Sequence, residues 1–101
     1  MYLHATLKLS YAGVGKFLDM APRLKALVEA DGWVMINALL LQTGRFNTVI
    51  HIWRVRDMNH YLETIKKLRL HPDFEQIAAV LAESVVEETL AFAEPTAYAP
   101  P

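Results

Sequence analysis

The chain contains no cysteine. That excludes a disulfide framework, a thiol nucleophile and a thiolate metal site. Serine occurs only as Ser10 and Ser84, neither in a Gly-x-Ser-x-Gly elbow, so nucleophilic catalysis has little to stand on. Glycine is scarce too. The one cluster, Gly13-Val14-Gly15-Lys16, fails both phosphate-loop patterns. Leu18 stands where a dinucleotide motif needs its third glycine, and Phe17 where a P-loop needs Ser or Thr. A strand-to-helix turn explains the cluster. The histidines are His4, His51, His60 and His71, with no His-Glu-x-x-His motif and no pair at helical ligand spacing. His4 and His51 could meet across a sheet, but a metal would need a further ligand such as Glu87 or Glu88. No metal and no cofactor are therefore expected.

Other absences bound the setting. The start, Met-Tyr-Leu-His-Ala-Thr-Leu-Lys, lacks the basic lead and apolar core of a signal peptide. No apolar run reaches the ~20 residues of a membrane span, and Val34 to Leu41 is interrupted by Asn37. A cytoplasmic protein is expected. Net charge is −1 and pI about 6.4, without the basic surplus of a nucleic-acid binder. With 101 residues the chain makes one domain, expected over 1–93, followed by an extended tail at 94–101 (Glu-Pro-Thr-Ala-Tyr-Ala-Pro-Pro). Its apolar share of 53% exceeds the ordinary ~45–50%. A small domain with surplus apolar residues is expected to bury surface in a partner, most simply a second copy of itself.

The pattern of the remaining residues gives the fold class. Tyr2 to Leu9 alternates, with Leu3, Ala5, Leu7 and Leu9 on one side and Tyr2, His4, Thr6 and Lys8 on the other, so it is a strand. Val14, Phe17, Leu18, Ala21, Leu24, Leu27 and Val28 recur at helical spacing, predicting a helix from about Val14 to Ala30 that Pro22 kinks or breaks near Ala21. Asp31-Gly32 stops it. Trp33 to Thr43 and Asn47 to Val55 form a hairpin turning at Gly44 to Phe46. Asp57 caps a helix striped by Met58, Tyr61, Leu62, Ile65 and Leu68. The chain breaks at His71-Pro72. Pro72 is expected as the first residue of a short helix carrying Phe74, Ile77, Ala78 and Leu81. Ser84 to Phe92 is the fourth strand. The order β-α-β-β-α-β is the ferredoxin-like α+β plan, a four-stranded antiparallel sheet with helices on one face.

The second sheet face then has no cover of its own. Tyr2, His4 and Thr6 are expected there, joined by Val49, His51 and Trp53 of the third strand. Two such faces packed together predict a homodimer with a cavity between its sheets. His4, Thr6, His51 and Trp53 are the expected ligand-binding residues, with Trp53 stacking on a small apolar or aromatic molecule and His51 binding it or moving a proton. Glu87 and Glu88 are adjacent on a strand and point to opposite faces, so only one can serve as a general base there. No complete catalytic set is visible, and His51 is the best single candidate.

The run Gly44-Arg-Phe-Asn-Thr-Val-Ile-His-Ile-Trp-Arg-Val-Arg-Asp57, followed after a helix by His71-Pro72-Asp73-Phe74, resembles the NIPSNAP family. Gly44, Asn47, His51, Trp53 and Asp57 carry the likeness, and His71 to Phe74 match the second motif more loosely. The first strand departs from the family's Glu-x-Arg-x-Tyr-like run, having Leu3-His4-Ala5-Thr6-Leu7 instead. The resemblance implies a dimeric α+β barrel of two ferredoxin-like units and leaves the biochemical role undefined. Besides ligand binding, two alternatives follow: a cofactor-free enzyme of the antibiotic-biosynthesis monooxygenase type, and a structural or interaction protein whose sheet face is only an interface.

Overall fold

The computed structural model describes residues 1–101. Its elements run β1 (Tyr2–Leu9), α1 (Val14–Glu29), β2 (Val34–Leu40), β3 (Thr48–Arg54), α2 (Met58–Leu70), α3 (Phe74–Ser84) and β4 (Val85–Ala93), with one 3₁₀ turn at Tyr11–Gly13 before α1. The strands form a single antiparallel sheet in the order β2-β3-β1-β4, the ferredoxin-like arrangement. All three helices lie on one face, giving a two-layer slab of 41 × 36 × 18 Å.

The alternation of β1 decides the layering. Leu3, Ala5, Leu7 and Leu9 are all buried under the helices. Phe17 and Val28 of α1 meet them in two apolar clusters. Full burial of a side chain such as Phe17, at 1% exposure, contributes about 1.5–3 kcal/mol. The 3₁₀ turn packs tightly on the end of α3: Ser10 N–H donates to the Ser84 carbonyl at 2.9 Å, and Gly13 N–H donates to Ser10 Oγ at 3.0 Å.

Asp57 caps α2, its carboxylate accepting from His60 N–H at 2.7 Å. The hairpin connection is longer than the expected three-residue turn, leaving 41–47 outside both strands. Gly44 and Asn47 take positive φ values of 80° and 55° there, which Gly adopts freely and Asn tolerates.

Three expectations are corrected. Helix α1 runs through Pro22 without a break. Proline removes the N–H that would bond to the Leu18 carbonyl, and Leu18 lies exposed at 42%, where water can serve that oxygen. Pro72 sits in the turn before α3, whose N-cap is Asp73. The third correction concerns the site. Val49, His51 and Trp53 do not face the open side of the sheet. In the antiparallel register Leu3 pairs with Trp53, Ala5 with His51 and Leu7 with Val49. Directly opposed residues share a face, so the buried side of β3 is the helix side, and Ile50, Ile52 and Arg54 take the open side.

Candidate functional site: a cavity between sheet and helices

His51 stands at the middle of β3 with an alanine across from it on each side, Ala5 on β1 and Ala38 on β2. Two methyl-sized neighbours leave the imidazole with space to both sides. One space, of about 190 Å³, lies between the sheet and all three helices. Thirteen of its fifteen lining residues are apolar or aromatic, among them Ala5, Phe17, Trp33, Trp53 and Tyr61. The second, about 240 Å³, lies between α1 and the β2 side of the sheet and includes Ala38 and Pro22. His51 is the one residue that lines both.

Aromatic rings build the walls. The Trp53 ring meets His51 edge-on, with centroids 6.0 Å apart and planes at 89°. Phe17 lies 6.0 Å from His51 on another side. Trp33 meets Trp53 edge-on at 5.5 Å and stacks on Tyr61 at 5.7 Å. Tyr61 in turn meets Phe92 edge-on at 5.1 Å. These spacings fall in the favourable range for ring pairs.

The polar content is small. His51 is buried, and its ring makes no hydrogen bond to any protein group. Burial disfavours the imidazolium and pushes its pKa below the usual 6.5, so at neutral pH the ring is uncharged, with one nitrogen able to donate and one to accept. The other polar residue on the cavity between the sheet and the helices is Glu88 of β4. It pairs with Leu7, which puts it on the helix side, whereas Glu87 pairs with Lys8 on the other face and forms an ion pair with Arg45. Glu88 is exposed, at the rim. Burial, and then the Glu88 charge, raise the Tyr61 pKa, so its phenol is also neutral.

A hydrogen-bonded chain fixes the Trp33 wall from behind. Trp33 Nε1 donates to Thr64 Oγ1 at 2.9 Å, and the Thr64 hydroxyl donates to Asp31 Oδ2. Lys67 Nζ donates to the other Asp31 oxygen at 2.7 Å. The hydrogen bonds from Lys67 and Thr64 hold the Asp31 carboxyl below the usual carboxylate range. His60 completes the cluster. Its Nδ1 accepts from Arg56 N–H at 3.1 Å, which leaves Nε2 as the donor to the Asp31 carbonyl at 2.6 Å. Its role is structural: it ties the α1–β2 turn to the start of α2.

The four expected ligand residues therefore divide. His51 and Trp53 are brought together on the cavity. His4 and Thr6 lie on the opposite face of the sheet, His4 between Ile52 and Ala91 and Thr6 between Ile50 and Thr89. His4 and His51 cannot share a ligand. No three His, Asp or Glu side chains converge as a metal site would require. Lys16 of the glycine cluster pairs with Glu83 at 3.0 Å on the surface. Sequence reasoning missed Trp33, Phe17 and Tyr61 as cavity walls. Each appeared only as a member of an element, and nothing local marks which core residue borders a space.

The NIPSNAP family model matches residues 4–100. No curated protein matches the chain. Among solved structures, an uncharacterised NIPSNAP domain protein from Burkholderia xenovorans superposes with a TM-score of 0.82 at 16% identity, covering 100% of both chains. A NIPSNAP family protein from Agrobacterium tumefaciens gives 0.83 at 16%, covering 98% of this chain and 95% of that one. SnoaB, a cofactor-independent oxygenase from Streptomyces nogalater, gives 0.60 at 17%, covering 96% and 95%. At these identities the likeness is one of fold.

Proposed function

The chain belongs to the NIPSNAP family, a family of unknown function, and on that premise we propose that it is a small-molecule-binding protein that holds an apolar or aromatic molecule between its sheet and helices. The observation that carries this reading is a buried imidazole without a protein partner, opening onto an apolar cavity. The one fully enclosed side-chain polar atom without a partner is Ser84 Oγ, so the His51 ring nitrogens stay accessible, and a ligand in the apolar space beside them can bond to them. The site expected between two sheets thus moves inside one protomer. The test uses tryptophan emission. Both tryptophans, Trp33 and Trp53, line this cavity, so all indole fluorescence reports on it. Titration with toluene is expected to shift the emission saturably, and Ala5→Leu to abolish the shift. A wild-type spectrum that never saturates would sink the reading.

A homodimer through the helix-free sheet face is part of the same reading. That face carries exposed Val34 and Leu39 beside half-buried Ile50 and Ile52. The chain exposes 6598 Å², against about 5,800 Å² for a compact monomer of its mass. Analytical ultracentrifugation is expected to show a dimer at micromolar concentration and a monomer for Ile52→Glu. Cytoplasmic residence fits the cysteine-free chain, and no helix is long and apolar enough to cross a membrane.

One observation favours a second reading, a cofactor-free oxygenase. His51 is uncharged and unpaired, and so able to take a proton from a substrate held against Trp53. Oxygen uptake with an aromatic substrate that is lost in His51→Ala would support it. Uptake unchanged in that variant would remove His51 from the mechanism.

A further inference from the structure

We infer that the ligand of the cavity between the sheet and the three helices is an uncharged, single-ring compound bearing a hydroxyl, with the hydroxyl on His51 and the ring against Trp53 and Phe17. The inference rests on the binding reading above and specifies its chemistry. Size comes first. An apolar cavity of about 150 Å³ takes benzene, and this one measures about 190 Å³, room for one substituted ring and not for an extended polycycle. Wall chemistry comes next. Phe17, Trp53 and Tyr61 from three elements and Trp33 from the α1–β2 connection present ring faces and edges, which suits a flat partner.

The polar group is chosen by His51. A neutral imidazole offers one donor and one acceptor. A hydroxyl can answer either, whereas an ether or ketone can only accept. Charge is excluded by what the cavity lacks. No lysine or arginine lines it, the Tyr61 phenol there is neutral, and its one carboxylate is that of Glu88. Glu88 and His51 are separated on the sheet by β1 and offset by two residues, Glu88 pairing with Leu7 and His51 with Ala5. That spacing puts their Cα atoms roughly 12 Å apart, so a ring lodged beside His51 fits between them. An anionic substituent would be desolvated without a counter-charge and would face Glu88. A phenol meets all of these conditions, since it is flat, is neutral near pH 7 and carries one hydroxyl.

The test compares p-cresol, toluene and 4-hydroxybenzoate by tryptophan fluorescence and by nitrogen NMR of the His51 ring. One hydrogen bond between neutral groups predicts that p-cresol binds roughly two- to tenfold tighter than toluene. His51→Leu should erase that gap while toluene still binds. 4-Hydroxybenzoate should bind more weakly than p-cresol. In the wild type, p-cresol should move the His51 ring nitrogen signals and toluene should leave them in place, a readout that needs no variant. Toluene binding with no cresol advantage, a cresol advantage that survives His51→Leu, unmoved ring nitrogens, or tighter binding of the benzoate would each overturn the inference and leave the binding reading standing. Failure of toluene and p-cresol alike would overturn both.

Discussion

Ala5 and His51 face each other across β1 and β3 on the helix side of the sheet, and the size of the first residue sets the space beside the second. Ala5→Leu adds three carbons into the cavity between the sheet and the helices. Filling existing space commonly adds about 0.5–2 kcal/mol of stability. Urea denaturation should therefore show an unchanged or raised midpoint for Ala5→Leu, while toluene binding disappears. A variant that is destabilised by several kcal/mol would mean that the space beside His51 cannot accept a side chain.

Thr64 is the hinge of the chain of hydrogen bonds behind Trp33. Its hydroxyl accepts from the indole and donates to Asp31. Thr64→Val keeps the shape and removes both bonds, leaving a buried indole N–H without a partner. The expected loss is about 1–3 kcal/mol, read from the urea midpoint, together with a change in near-ultraviolet circular dichroism as Trp33 loses its fixed orientation. Thr64→Ser should restore most of both.

His51 predicts a pH dependence of definite sign. Its pKa is lowered in the folded protein by burial. Above the ordinary value of 6.5 the ring is neutral in both states and contributes no slope. Below it the unfolded chain takes up the proton first, so stability falls with falling pH until the folded ring also titrates, where the loss levels off. Urea midpoints for His51→Leu and wild type, measured from about pH 8 to pH 5, should diverge in that window, the variant losing less. Parallel curves would mean that His51 is protonated equally easily in both states.

Gly13 predicts a packing effect. A Cβ added there would lie 2.5 Å from the Cα of Ser84, which is fully buried at the junction of α3 and β4. Backbone cannot retreat as a flexible side chain could. Gly13→Ala should cost about 1–3 kcal/mol, measured by thermal or urea unfolding, whereas Gly15→Ala, with nothing within 4 Å of its Cβ position, should be neutral or slightly stabilising.

Local pattern by itself determined a good deal here. The two-residue period of Tyr2 to Leu9, the helical period of Val14 to Val28 and the cap at Asp57 each act over a few neighbours, so their elements and the ferredoxin-like order could be read directly. The NIPSNAP likeness was carried by the same local residues. The face taken by β3 was a different matter. Its two sides, Val49-His51-Trp53 and Ile50-Ile52, are about equally apolar, and a strand's period says which residues share a side without saying which side meets the helices. Pairing with β1 decided it, because Leu3 and Leu7 had already committed their side to the core. That one choice moved His51 and Trp53 into the protomer, away from His4 and Thr6 on the open face, and set two alanines beside the imidazole; the separate pairing of β4 with β1 brought Glu88 rather than Glu87 to the cavity rim. Register is a long-range relation between strands, and so the cavity exists only in the tertiary structure.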